Sequence, residues 1–135
     1  MAAPLDVAAQ NAALDALLGD GAAAGIPTSF EVALFAGSPA LGGTELTATG
    51  SYARVTVAND TAHFPDASVG AKTSVTLTFP TSSAAWSDTA THWLLYDHAD
   101  SVTGWFHAPL DSEVSVDGAG DVVRVELTLF WNEDS

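Results

Sequence analysis

Four histidines (His63, His92, His98 and His107) and seventeen carboxylates are the side chains with which this sequence could do chemistry. A metal centre built on imidazole needs two histidines at a short fixed spacing on one element, so that their lone pairs converge on one ion. None of the four stands in that relation. His92 alternates with Leu94 and Tyr96 and reads as a core-edge or interface histidine. Asp97-His98-Ala99-Asp100 reads as a polar turn between strands. Asp117-Gly-Ala-Gly-Asp121 has the acids and glycines of a calcium loop, but it lacks the length and the closing bidentate Glu. No Gly-x-Ser-x-Gly elbow raises a serine for attack, and no P-loop or Gly-x-Gly-x-x-Gly precedes a helix. A glycosidase would need two acids in split environments, a property of folded surroundings that spacing does not carry. The chain is therefore read as non-enzymatic, with no catalytic residue, no metal ligand and no cofactor.

There is no cysteine, which rules out disulfides, thiolate metal sites and cysteine nucleophiles. Asn59-Asp60-Thr61 matches the Asn-x-Thr glycosylation pattern, a short motif that is frequent by chance. Four tryptophans are many for 135 residues. Trp93 and Trp131 lie on strong strand patterns and suit a core. Trp86 lies in a Ser/Thr/Ala-rich stretch, where it would either plug the end of the fold or anchor a contact.

Twelve Asp and five Glu face Lys72, Arg54 and Arg124, for a net charge of −14. Nucleic-acid binding through phosphate neutralisation needs clustered Lys and Arg, so no nucleic-acid partner is expected. The same count argues against an anionic membrane surface, and no apolar run approaches the ~20 residues that span a bilayer. So much like charge on a small domain repels itself. At ~1 M salt the Debye length falls to ~3 Å and that repulsion is largely screened. Asp in excess of Glu, with Lys almost absent, is the balance expected of a protein working in concentrated salt, hence of a halophilic source.

These side chains need elements to hold them. Residues 4–18 predict a helix, with Pro4 at its start, Asp6 near its positive end, and Val7, Leu14, Leu17 and Leu18 on one apolar face; Gly19 and Gly21 stop it. From Phe30 onward the period is two. Strands are expected at 30–36, 52–58, 74–79, 92–97, 104–108, 113–116 and 122–131. The clearest run alternates Val123, Val125, Leu127, Leu129 and Trp131 with Arg124, Glu126, Thr128 and Phe130. About seven short antiparallel strands predict a mainly β fold, a jelly-roll-like β-sandwich with one N-terminal α-helix. The organisation read from this is a single domain over 1–135, with the helix in 1–21 and the sandwich in 29–132.

Two aromatics break the alternation: Phe130 falls on the polar face of its strand and Phe106 is out of phase with Trp105. With the helix face and Trp86 they give the candidate interface residues Leu14, Leu17, Leu18, Trp86, Phe106 and Phe130. Arg54, one of three cations, is expected to pair with Glu45 in the preceding loop.

In order, the chain reads Asn11-Ala-Ala-Leu-Asp-Ala-Leu-Leu18, Val32-Ala-Leu-Phe-Ala-Gly-Ser-Pro39, Gly42-Gly-Thr-Glu45, Gly50-Ser-Tyr-Ala-Arg54, Leu77-Thr-Phe-Pro80, Trp86 and Thr91-His-Trp93. In that order and spacing, over about residues 8–110, it resembles a family of small tailed-virus proteins labelled tail-fibre or minor tail proteins. Members carry a Thr-Ala-Asp-Pro-like turn, where this chain has Ala36-Gly-Ser-Pro39, and a Thr-His-Trp/Val-Gly-Ile strand, where it has Thr91-His-Trp-Leu-Leu95. The C-terminal third matches only in its alternation.

The resemblance implies a virion component. The expected function is structural, at the tail tip or in a fibre, through homo-oligomerisation (a trimer is favoured) and docking to other virion proteins. A capsid-surface decoration or turret protein is the alternative. A carbohydrate-binding sandwich, stacking a host-surface glycan on Trp86 or Trp105, is the second.

Overall fold

The computed structural model describes residues 6–20 and 25–130. Pro4, Gly21 and Trp131 lie outside the described residues. Among the described residues there is one α-helix, α1 (Val7–Leu17), and nine antiparallel strands rather than seven. They are β1 (Ser29–Ala36), β2 (Thr44–Glu45), β3 (Val55–Ala58), β4 (Ala71–Thr73), β5 (Leu77–Thr78), β6 (Ala90–Asp97), β7 (Gly104–Val114), β8 (Arg124–Val125) and β9 (Thr128–Phe130).

The count differs because alternation continues where hydrogen bonding does not. The expected strand 122–131 breaks into β8 and β9, and the two expected strands at 104–108 and 113–116 fuse into β7. Two short strands, β2 and β4, fall in stretches of Gly, Thr and Lys that carry no alternation.

One layer is a five-stranded sheet. β1 pairs with β6 on one side, and β7 pairs beyond β6. On its other side β1 is shared by β2, opposite Phe35 and Ala36, and β3, opposite Ser29–Val32. In the gap between these partners the Leu34 N–H donates to the Tyr52 hydroxyl at 2.9 Å, and the Leu34 carbonyl accepts from Leu46 N. Tyr52 is buried, whereas a continuous strand over 52–58 would have placed it beside Arg54.

The second layer is a ribbon in which β4 pairs with β9 and β5 with β8. Between the two pairings the register slips by one residue, and Ser74 fills the fault: its Oγ accepts from Leu127 N and donates to the Val75 carbonyl. The Val75 N–H turns to the His63 carbonyl instead. Leu77 and Phe79 are buried, and the bulge leaves Val75, which would alternate with them on an unbroken strand, 36% exposed.

Phe30, Val32, Leu34, Trp93 and Leu95 of the sheet meet Leu77, Phe79, Val123, Val125 and Leu127 of the ribbon in one core. Each large side chain buried there contributes roughly 1.5–3 kcal/mol. The helix adds Leu14 and Leu18, both 2% exposed; Val7 is half exposed. α1 ends one residue before the expected stop, since Leu18 is already extended. Gly19 then takes φ +105°, where a Cβ would lie 2.9 Å from the Phe64 carbonyl and 3.1 Å from Lys72 Nζ. The buried Asn59 side chain fixes this corner by accepting from Gly19 N and donating to the Leu17 and Pro27 carbonyls. With its amide so occupied at 2% exposure, the Asn-x-Thr match is a structural element of the corner.

Candidate interaction surface

Two surface regions stand out: an ionic cluster on the outer face of the five-stranded sheet, and an apolar groove where that sheet meets the ribbon. The cluster is centred on Arg54. Its guanidinium grips Glu45 bidentately, Nε to Oε2 at 2.9 Å and Nη2 to Oε1 at 2.7 Å. Nη1 donates to Glu31 Oε1 at 3.0 Å and to the Ser101 carbonyl at 2.8 Å, and the Tyr96 ring lies 4.0 Å beneath Cζ. β1 supplies Glu31, β2 supplies Glu45, β6 supplies Tyr96, and the turn between β6 and β7 supplies Ser101. Four separate segments are thereby tied through one side chain, with the rigid planar fork that arginine offers.

The electrostatics follow from this packing. Glu45 above all, then Glu31, raises the Arg54 guanidinium above its already high range against the cost of burial. Burial raises Glu31, but hydrogen bonds from Ser101, His98 and Arg54 outweigh it and hold the carboxyl below its ordinary value. Burial pushes the Tyr52 phenol well above its ordinary value; its hydroxyl reaches Glu45 Oε2 at 3.2 Å. This network is closed on itself and leaves little for a ligand to replace.

The groove has a volume of about 610 Å³. Leu41, Ala108, Pro109, Leu110, Leu129 and Phe130 supply its apolar lining, with His92 and His107 at one side and Asp111 as its single acid. Leu41 is 87% exposed and Phe130 67%. Phe130 lies opposite Ala71 at the outer end of β9, whereas Lys72 is buried and Leu129 packs partly against the core. Leu41 ends a 3-10 turn over Pro39–Leu41, closed by Gly42 at φ +83°.

The remaining interface candidates lie elsewhere. Leu14 and Leu18 are inside the chain's own core, and Leu17 is half-buried. Trp86 plugs the end of the fold: it is 6% exposed, packs edge-on against Tyr52 and Phe79, and donates Nε1 to the Gly50 carbonyl. Phe106 is turned inward by a β-bulge. The register between β6 and β7 shifts after Leu95↔Phe106, so that Trp105 is an extra residue and both rings lean on the core, Phe106 against Phe30. The out-of-phase aromatic thus marks a bulge, and its apolar area is used within the chain.

Asp97–Asp100 does form the β6–β7 turn, its carboxylates accepting from Ala99, Val102 and Thr103 N–H groups. The loop at 117–121 is pinned by the buried Ser82. Among the described residues no three His, Asp or Glu side chains converge on a metal position, and no helix is long and apolar enough to cross a membrane. Three features of these surfaces lay outside the sequence reading: Glu31 and Ser101 in the Arg54 cluster, and Leu41 on the groove. Glu31 had a signal, an acid between Phe30 and Val32 on an otherwise apolar strand.

The model of the podophage GP4 fiber I protein gp80 family matches residues 5–128, nearly the whole chain. No curated protein sequence matches it.

Proposed function

The chain belongs to the podophage GP4 fiber I protein gp80 family and is a structural component of a tailed-virus particle; from that premise we propose that it acts at the tail tip or in a fibre by homo-oligomerising and docking to other virion proteins. A trimer is the favoured order, and residues 1–135 are read as one folding domain. The observation that carries the docking role is the groove rimmed by Leu41 and Phe130, an exposed apolar face on an otherwise highly charged molecule. A structural role needs no catalytic constellation, and the ionic cluster ties segments together without presenting reactive groups. The glycan-binding alternative draws no support from Trp86, which lies in the core.

A halophilic host is part of the same reading. The net charge is −14, and two of the three cations, Lys72 and Arg54, are engaged in internal ion pairs. The outward charge is therefore even more one-sided than the composition. The thermal midpoint is expected to rise steeply between ~0.1 M and ~3 M KCl as self-repulsion is screened; a flat response would remove the halophilic assignment.

Immunogold electron microscopy of intact particles, with an antibody against this chain, tests the location. Label at the tail tip or along fibres supports it. Label spread over the head would replace it with a capsid decoration or turret role.

A further inference from the structure

We propose that the groove between β7 and β9 is the contact through which a second copy of this chain docks, with Phe130 of one copy seated in the groove of the other. The inference rests on the homo-oligomer reading above and names the face that carries it.

Charge selects the occupant. Each copy carries −14, so two copies are driven apart wherever their carboxylates meet. Of two other depressions, the one of about 330 Å³ beside β8 is lined by two acids, Asp111 and Glu126, with Arg124 offsetting one of them, and the one of about 220 Å³ beside Trp86 by Asp88 and Asp117. The groove between β7 and β9 has Asp111 alone. A basic partner drawn by the field of this molecule would settle on the acidic faces. Among the described residues this groove carries the fewest acids, so a like-charged copy meets least repulsion there and apolar burial can decide the outcome.

Shape and backbone agree with that choice. The same face carries both the hollow and the projections: Leu41 and Phe130 stand at the rim of the groove that would receive them. Among the described residues β7 pairs only with β6, and β9 only with β4. Two strand edges therefore border the groove, and Pro109 on β7 withholds one N–H there, which disfavours indiscriminate strand addition. The contact is side-chain-led, with Phe130 as its anchor.

Sedimentation of the full chain in about 3 M KCl, where the charge is screened, tests the contact at concentrations up to ~100 μM. The wild type is expected to associate. Phe130→Asp and Leu41→Asp should each weaken association at least tenfold, whereas Val102→Asp, 74% exposed in the β6–β7 turn, should not. Because the chain has no cysteine, mixing Leu41→Cys and Phe130→Cys copies under oxidation should yield a disulfide-linked pair. This second readout stands even if one aspartate variant fails to fold. Association unchanged in both aspartate variants, with no cross-link, would overturn the contact and leave oligomerisation through another face. A monomeric wild type throughout would overturn the contact and the homo-oligomer reading together, and assign the groove to a different virion protein. Neither result would alter where the chain labels the particle.

Discussion

Two of the three cations sit in ion pairs, and the two pairs are built in opposite ways. Arg54 lies across the outer face of the sheet, its side chain 25% exposed, gripping Glu45 and Glu31 with three hydrogen bonds and the Ser101 carbonyl with a fourth. Lys72 lies inside, its side chain 1% exposed, and meets Asp15 of α1 at 2.6 Å. Arg54 joins β1, β2 and the β6–β7 turn within one layer; Lys72 joins the helix to the ribbon. The first is redundant, since each contact has a neighbour that holds the same segments. The second gives a buried cation a single carboxylate, although Asp15 and Asn11 of the helix also accept from the Ala67 and Gly70 N–H groups. Redundant exposed networks degrade gradually, and buried single pairs fail when one partner is removed.

The largest expected effect breaks the buried pair from its acidic side. Asp15→Ala leaves the Lys72 ammonium in the interior with no carboxylate and also frees the Ala67 N–H that donates to Asp15 at 2.7 Å. A loss of about 3–5 kcal/mol is expected. Lys72→Met removes the buried charge and leaves Asp15, whose side chain is 37% exposed, to water; its cost should be much smaller. Denaturant unfolding of both variants decides the matter. Equal losses would mean that the pair contributes packing alone.

The next effect tests redundancy. Arg54→Lys keeps the charge but cannot grip Glu45 bidentately or lie flat over Tyr96. A cost of about 1–2 kcal/mol is expected. It should shrink as salt rises, because the cluster is partly exposed, while the Asp15→Ala loss should persist. A salt-independent Arg54→Lys loss would place the cluster in the same class as the buried pair.

How much of this was legible beforehand follows from the range of each signal. The strands that alternate, β1, β6 and the β8–β9 run, could be read because inward and outward residues recur every second position. The Arg54–Glu45 pair spans nine residues and joins a scarce cation to a nearby acid. Ser101 stands 47 residues from Arg54 and Glu31 lies 23 away, so only the folded hairpins bring them in. Lys72 figured as a tally of composition, because β4 is only three residues long and no alternation marks its buried position. Phe106 misled because alternation assumes an unbroken ladder, and one extra residue at Trp105 reverses the faces. Leu41 is a lone apolar residue in a Gly-rich loop, where no period exists to show which way it points.

The smallest expected effect compares the two regions in acid. Asp15 is held below its ordinary value of 3.8, chiefly by the Lys72 hydrogen bond, and Glu31 below 4.5 by Ser101, His98 and Arg54 against its burial. A carboxyl whose folded pKa is depressed binds its proton more readily in the unfolded chain. Its stabilisation is therefore complete above the unfolded value and is lost as pH falls through the folded one. Both regions should hold full strength above about pH 5 and weaken below about pH 4. Glu31→Gln removes one titrating group from the exposed cluster, so its thermal midpoint should start slightly lower than the wild type's at neutral pH and fall less steeply in acid. Asp15→Asn should flatten the same limb from the buried side. If Glu31→Gln retains the wild-type acid slope while Asp15→Asn flattens it, the acid sensitivity belongs to the helix–ribbon tie alone, and the Arg54 cluster holds its segments through geometry rather than through charge.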